Sequence, residues 1–256
     1  LLNWKGFFCG IITSATFGLI PLFTLPLLSA GMNIPSILFY RFLFASVLLG
    51  AYALLAKRGL RVTVKEMLVL AGLSLLYIGS AVFLFWSYHY LSSGIATTMM
   101  FLYPVFVALI MIFVFKEKNS WWTMLAIFMA VTGVALLSLN GKAGGVSATG
   151  ILLAVLSGLS YGIYIISVNK SCVKNMGSTR LTLYMFLFTV LFVGLGSAAL
   201  GLLQVPPDWS CGLNLTWLAL VPTVVSNLTL IVAIKELGST FASVLGAMEP
   251  VTAMTV

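Results

Sequence analysis

Long apolar runs separated by short polar segments fill the chain from end to end. They fall at 5–29, 35–56, 66–88, 94–115, 121–139, 148–169, 181–204 and 213–234, and a ninth starts near 239 and continues to Val256. A bilayer core about 30 Å thick needs roughly 20 apolar residues in a helix. A spanning β-barrel would instead show shorter segments of alternating polarity. The pattern therefore predicts an all-α polytopic membrane protein with nine transmembrane helices in this chain and a tenth expected beyond Val256.

Composition narrows the class. Hydrophobic residues make up 61% of the 256 residues and charged residues 7%, against roughly 25% charged in an ordinary soluble domain. A soluble enzyme, a nucleic-acid binder and a disordered chain are excluded as the main reading. The net charge of +8 is carried by 13 Lys and Arg against five acids. With the N-terminus inside, Lys5, Lys57, Arg58, Arg61, Lys65, Lys116, Lys118, Lys170, Lys174, Arg180 and Lys235 share the inner side and only Lys142 lies outside. Because cytoplasmic loops carry the excess of Lys and Arg, the N-terminus is expected in the cytoplasm. Cys9, Cys172 and Cys211 have neither metal-site nor paired spacing. The first apolar run is too long, and too nearly continuous with the second, to be a cleavable signal.

An internal repeat organises the pattern. At an offset of 144, Gly6, Gly10, Ser14, Phe17 and Gly18 meet Gly150, Ala154, Gly158, Tyr161 and Gly162. In that register Tyr40, Leu43 and Phe44 meet Tyr184, Leu187 and Phe188. At 146, Leu91-Ser92-Ser93 meets Leu237-Gly238-Ser239, and Pro104-Val105 meets Pro250-Val251. The repeat divides the chain into two five-helix units, 1–140 and 147–256, the second truncated before its fifth helix. An odd number of spans inverts the second unit, and inverted repeats around a midplane site are a common plan of secondary transporters.

Small residues recur every fourth position at Gly10, Ser14 and Gly18, again at Ala154, Gly158 and Gly162, and in the ninth stretch through Gly246. Such stripes let helix backbones approach closely in lipid, as packing seams or as sliding surfaces. Pro104 and Pro250 fall inside stretches four and nine, where each removes a backbone donor and favours a kink. Paired breaks in two halves point to a central site, and Tyr103 and Glu249 precede them. Glu249 is the one acid deep in an apolar run. An intramembrane carboxylate is a functional hypothesis by default, here a partner for a cationic group or a proton site. Arg41 sits about six residues into stretch two, where it is expected to snorkel to the interface or pair with Glu249. Asn227, with Thr223 and Ser226, places polar groups midway along stretch eight. Tyr77, Tyr161 and Tyr164 are candidate lining or core residues, and His89 reads as part of an interfacial aromatic belt. No phosphate-binding loop, metal cluster or nucleophile triad appears in the sequence, so neither an enzyme nor a cofactor is expected.

In these residues the chain resembles the EamA family of ten-helix permeases in the drug/metabolite transporter superfamily. The carriers are Tyr40-Arg41-Phe42, Leu102-Tyr103-Pro104-Val105-Phe106 with Ala108-Leu109, Glu117, and Gly133-Val134-Ala135-Leu136. In the second half they are Ser160-Tyr161, Asn169-Lys170 and Glu249-Pro250-Val251. The missing tenth helix is the departure. The resemblance implies an inner-membrane carrier of small metabolites, often an exporter of amino acids or related compounds, with helices five and ten peripheral to a central cavity. The residues expected at the substrate are Glu249, Tyr103, Tyr161 and Asn227. The expected partners are the lipid bilayer and a small molecule, with a proton as candidate coupled ion and no nucleic acid. A passive channel or facilitator and a non-transporting membrane receptor are the other classes such a bundle could serve.

Overall fold

The computed structural model describes residues 3–57, 59–91, 93–117, 121, 125, 128, 129, 132, 147–246 and 249. Most of the fifth stretch, the 133–136 run, Lys142 and the ninth stretch past Gly246, Pro250 included, lie outside the described residues; Glu249 alone is described there.

The described elements are helical. They run α1 Trp4–Phe17, α2 Ile20–Ser29, α3 Ile34–Leu55, α4 Val64–Ser87, α5 Ser93–Met100, α6 Tyr103–Phe113, α7 Ala148–Lys170, α8 Ser178–Ala199, α9 Trp209–Ala219, α10 Ser226–Leu237 and α11 Ser239–Gly246. A short 3₁₀ turn, Cys172–Asn175, links α7 to α8, and a π-helical turn, Leu220–Val225, joins α9 to α10. Seven spans among the described residues are long and apolar enough to cross a membrane, with α1–α2, α5–α6 and α9–α10 each acting as one. Large apolar side chains such as Leu55 and Trp209 face outward, as lipid rather than water requires.

Three stretches that read as continuous are interrupted, each just before or at a proline. Pro21 cannot donate to the carbonyl of Phe17, and the chain turns at Gly18–Leu19, where the Gly18 N–H bonds Ser14 O at 3.0 Å. Pro104 leaves the Met100 carbonyl without its i+4 donor, and helix α5 ends at Met100. Pro222 likewise has no N–H for Leu218 O. There the Thr223 hydroxyl donates to Leu218 O at 2.7 Å instead, and the backbone widens into the π turn. Loss of one donor and local repair by a side chain or a wider turn is how spanning helices tolerate proline.

Packing pairs the first span of each half with the third span of the other. Helix α1 lies along α10 and α11, and α7 lies along α4, α5 and α6. The contacts recur in equivalent pairs. A Cβ on Gly6 would stand 2.7 Å from the Leu237 side chain, and one on Gly150 would stand 2.6 Å from Leu91. Thr13 Oγ1 reaches Ser226 O at 3.4 Å; Ser157 Oγ reaches Ser80 O at 2.7 Å. Helices α3 and α8 pack on each other, with Phe42 and Phe186 ring to ring at 5.6 Å. Glycine at these crossings is required by close approach, since any side chain would enter its neighbour.

The loop cations converge at one end of the bundle. Lys5 pairs with Glu236 at 3.4 Å, Lys170 with Glu117 at 2.7 Å, and Arg180 Nη1 donates to Arg61 O at 2.7 Å. The opposite end is closed by neutral groups, where Asn33 Nδ2 donates to Leu202 O at 2.6 Å and the Asn33 N–H to Gln204 Oε1 at 2.9 Å.

Candidate functional site

The polar centre of the bundle is built around the π turn. Arg41, on α3, is 7% exposed. The snorkelling expected from its place in stretch two is therefore corrected: the guanidinium turns inward. Its Nε donates to Thr223 Oγ1 at 2.6 Å and its Nη2 to Pro222 O at 3.2 Å, while Cζ lies 5.4 Å from the Phe42 ring centroid. Both acceptors belong to the π turn, one a side-chain hydroxyl and the other a backbone carbonyl. Thr223 thus relays between Leu218 O, to which it donates, and Arg41, from which it accepts.

One turn further, Asn227 is 1% exposed and donates Nδ2 to Thr223 O at 2.8 Å. Its Oδ1 has no hydrogen-bond partner among the described residues, and its side chain lies beside the Tyr77 hydroxyl. Tyr77 on α4 sits at the hub of an aromatic cluster, with ring centroids 5.5 Å from Tyr164 and 6.2 Å from Tyr161. Tyr161 meets Tyr103 edge to face at 4.9 Å. Tyr103, Tyr161 and Tyr164 are all buried, and the Tyr164 hydroxyl is a second buried group without a partner among the described residues. A buried acceptor without a partner among the described residues is costly in an apolar interior, and it is the arrangement that a polar ligand or an ordered water would satisfy.

Glu249 lies within electrostatic range of Tyr77, Tyr103, Tyr161 and Arg41. Tyr103, Tyr161, Asn227 and Glu249 therefore gather in one region, to which α3, α4, α6, α7 and α10 all contribute. The small residues frame it. The Tyr103 hydroxyl abuts Gly246, and Gly10 lies under Leu245. Ser14 Oγ donates to Leu245 O at 2.6 Å. A Cβ on Gly158 would stand 2.9 Å from Met100 O, the carbonyl freed by Pro104, and one on Gly162 would stand 3.4 Å from Tyr103 O. Gly18 closes α1 as its C-cap.

The sequence pattern puts Arg41 at the rim and does not reveal the π turn. Its signal is Pro222-Thr223, a proline next to a hydroxyl able to repair the missing bond.

A multi-span helical membrane protein with internally repeated packing and a buried polar centre is the class defined by these features. The model of the EamA-like transporter family matches residues 4–139 and 148–256. The chain belongs to that family, within the drug/metabolite transporter superfamily, and is a multi-pass membrane transporter. A solved structure described as "Crystal structure of protein" matches with a TM-score of 0.77 at 19% identity, over 99% of this chain and 87% of that chain. At that identity the likeness is one of fold. No curated protein matches the chain.

Proposed function

We propose that this chain is a secondary carrier that exports small metabolites, amino acids or related compounds, across the inner (plasma) membrane by alternating access. The two units, 1–140 and 147–256, rock about the centre formed by Tyr103, Tyr161, Asn227 and Glu249, and the N-terminus is cytoplasmic. Glu249 takes a cationic group of the substrate or a coupled proton, Asn227 offers an acceptor, and the tyrosines form the walls.

The observation that carries this reading is the pair of equivalent glycine seams, Gly6 on Leu237 and Gly150 on Leu91. One lies at the cation-rich end and the other at the opposite end, on either side of a buried polar cluster. Two matched closures flanking one site are what a carrier needs to expose that site to each side in turn.

Counterflow in proteoliposomes tests the proposal, with a panel of labelled amino acids. Saturable uptake against preloaded substrate, lost or made independent of pH in Glu249→Gln, is the expected result. Flux that does not saturate and shows no counterflow would replace the carrier with a channel. An unchanged Glu249→Gln variant at normal expression would remove the charge role.

A further inference from the structure

The cation-rich end holds a charge arrangement that transport does not use. The chain has five acids, and three lie at this end. Glu236 is held by Asn3 Nδ2 at 2.6 Å and by Lys5. Glu117 is held by Lys170. Glu66 accepts the Thr63 N–H at 2.7 Å and hydroxyl at 2.9 Å in the cap of α4; it lies within electrostatic range of Arg180 but forms no ion pair with it. Asp208 precedes α9 at the far end, and Glu249 belongs to the centre.

Two cations from different helices are thereby left facing each other. Arg180, in the first turn of α8, and Lys235, in the last turn of α10, lie within electrostatic reach of one another. Both are tied to neutral carbonyls, Arg180 to Arg61 O and Lys235 to Met176 O, which fixes their positions without cancelling their charge. Arg180 Nε is shut from solvent with no partner among the described residues, and so is the hydroxyl of Ser171 in the short loop that carries Met176. Helix α8 also begins without a side-chain cap, since Gly177 stands at that position. Its open N–H groups and positive dipole end favour an anion at the same spot. Like charges held together at a helix start, with an orphaned guanidinium donor and only the cap-bound Glu66 carboxylate in electrostatic range of Arg180, favour a further anion at that spot.

We propose that Arg180, Lys235 and the first turn of α8 bind a phosphate group, supplied by an anionic lipid headgroup at the membrane surface. The site lies where two spans end, at the start of α8 and the end of α10, and basic pockets between spanning helices suit anionic headgroups. An occupant would tie the start of α8 to the end of α10 and steady the packing of the two spans.

The test is thermal unfolding of the purified chain in non-ionic detergent at fixed ionic strength. Short-chain phosphatidylglycerol is compared with the matching phosphatidylcholine and with inorganic phosphate. A saturable rise in unfolding temperature with phosphatidylglycerol and none with phosphatidylcholine is the expected result. The Arg180→Gln/Lys235→Gln pair should weaken that response about tenfold or more, given the pull of each basic side chain on an anionic surface. The Lys57→Gln/Lys174→Gln pair removes equal charge from the same end and should respond as wild type. Arg180→Lys, which keeps the charge, should retain most of the effect. Equal responses to both lipids, or equal loss in both double variants, would overturn the site. Protection by inorganic phosphate equal to that by phosphatidylglycerol would keep the phosphate site and overturn the lipid as its source. Should the first pair fail to fold, Lys235→Gln alone decides: a wild-type response there overturns the proposal.

Discussion

Helix α4 and the α9–α10 span occupy equivalent places in the two halves, yet one is continuous and the other is broken. Both are crossed by the first span of the opposite half through a hydroxyl-to-carbonyl bond, Ser157 to Ser80 O and Thr13 to Ser226 O. Both end against a glycine of that partner. Packing has been kept in duplicate while the chemistry has not. Only α9–α10 carries the π turn, and only there do Arg41, Thr223 and Asn227 meet. The equivalent of Arg41 is Met185, whose carbonyl simply accepts the Ser74 hydroxyl at 3.0 Å. A duplicated frame can hold a single polar centre when one copy gives up a regular helix turn to supply acceptors.

The most direct way to break this comparison is to remove the guanidinium. Arg41→Met leaves Thr223 Oγ1 and Pro222 O without their charged donor, at about 1–3 kcal/mol for each buried group left unpaired. We expect a large fall in unfolding temperature and counterflow at background. Met185→Leu in the other half should change neither beyond a small repacking effect. If Arg41→Met unfolds and transports as wild type, the π turn needs no clasp and the asymmetry is incidental.

Next come the seams shared by both halves. Gly6→Ala and Gly150→Ala each drive a Cβ into a leucine, and overpacking of this kind costs about 1–3 kcal/mol. Because the seams lie at opposite ends, the variants should shift accessibility in opposite directions, read by labelling of cysteines introduced at each end. Shifts of the same sign would mean that the seams only hold the bundle together.

Smaller again is the effect at Asn227. Asn227→Leu should raise the half-saturation concentration for counterflow about tenfold, the scale expected when one buried hydrogen-bonding group is lost. Ala81→Asn, at the equivalent point of the continuous helix, should leave transport unchanged. An equal loss from both would place the polar contact elsewhere.

The apolar runs make the spans legible because lipid imposes one length and one composition on each. The positions of close approach are legible from the small-residue stripes that begin at Gly6 and Gly150, but the leucines they meet, Leu237 and Leu91, are supplied only by the fold. Proline marks the break before Tyr103, but Pro222 escapes notice because a hydroxyl repair leaves the apolar count intact. Arg41 misleads for a related reason. A charge near the end of a run looks able to reach the interface, and only the widened backbone of a distant span, 181 residues on at Pro222, shows where its donors go. Local patterns report what lipid demands of each helix, not which helix satisfies a polar group on another.

The finest contrast between the two spans is at their starts. Helix α4 begins with a full capping box, in which Thr63 accepts from the Glu66 N–H at 3.3 Å and Glu66 accepts from the Thr63 N–H at 2.7 Å. Asp208 stands in the same position before α9 but makes no side-chain capping bond. Thr63→Ala removes an acceptor at the first turn and frees Glu66 from its second contact, so it should destabilise the protein by about 0.5–2 kcal/mol. Asp208→Ala removes no bond and only the attraction of a carboxylate for a helix start, about 0.3–1 kcal/mol at low salt. Unfolding of the two variants at low and high ionic strength separates the terms. The Thr63→Ala loss should persist in salt because it is a hydrogen bond, and the Asp208→Ala loss should fade because it is a screened charge. A salt-resistant loss at Asp208 would mean that α9 is capped after all, and the starts of the two spans would then be as alike as their seams.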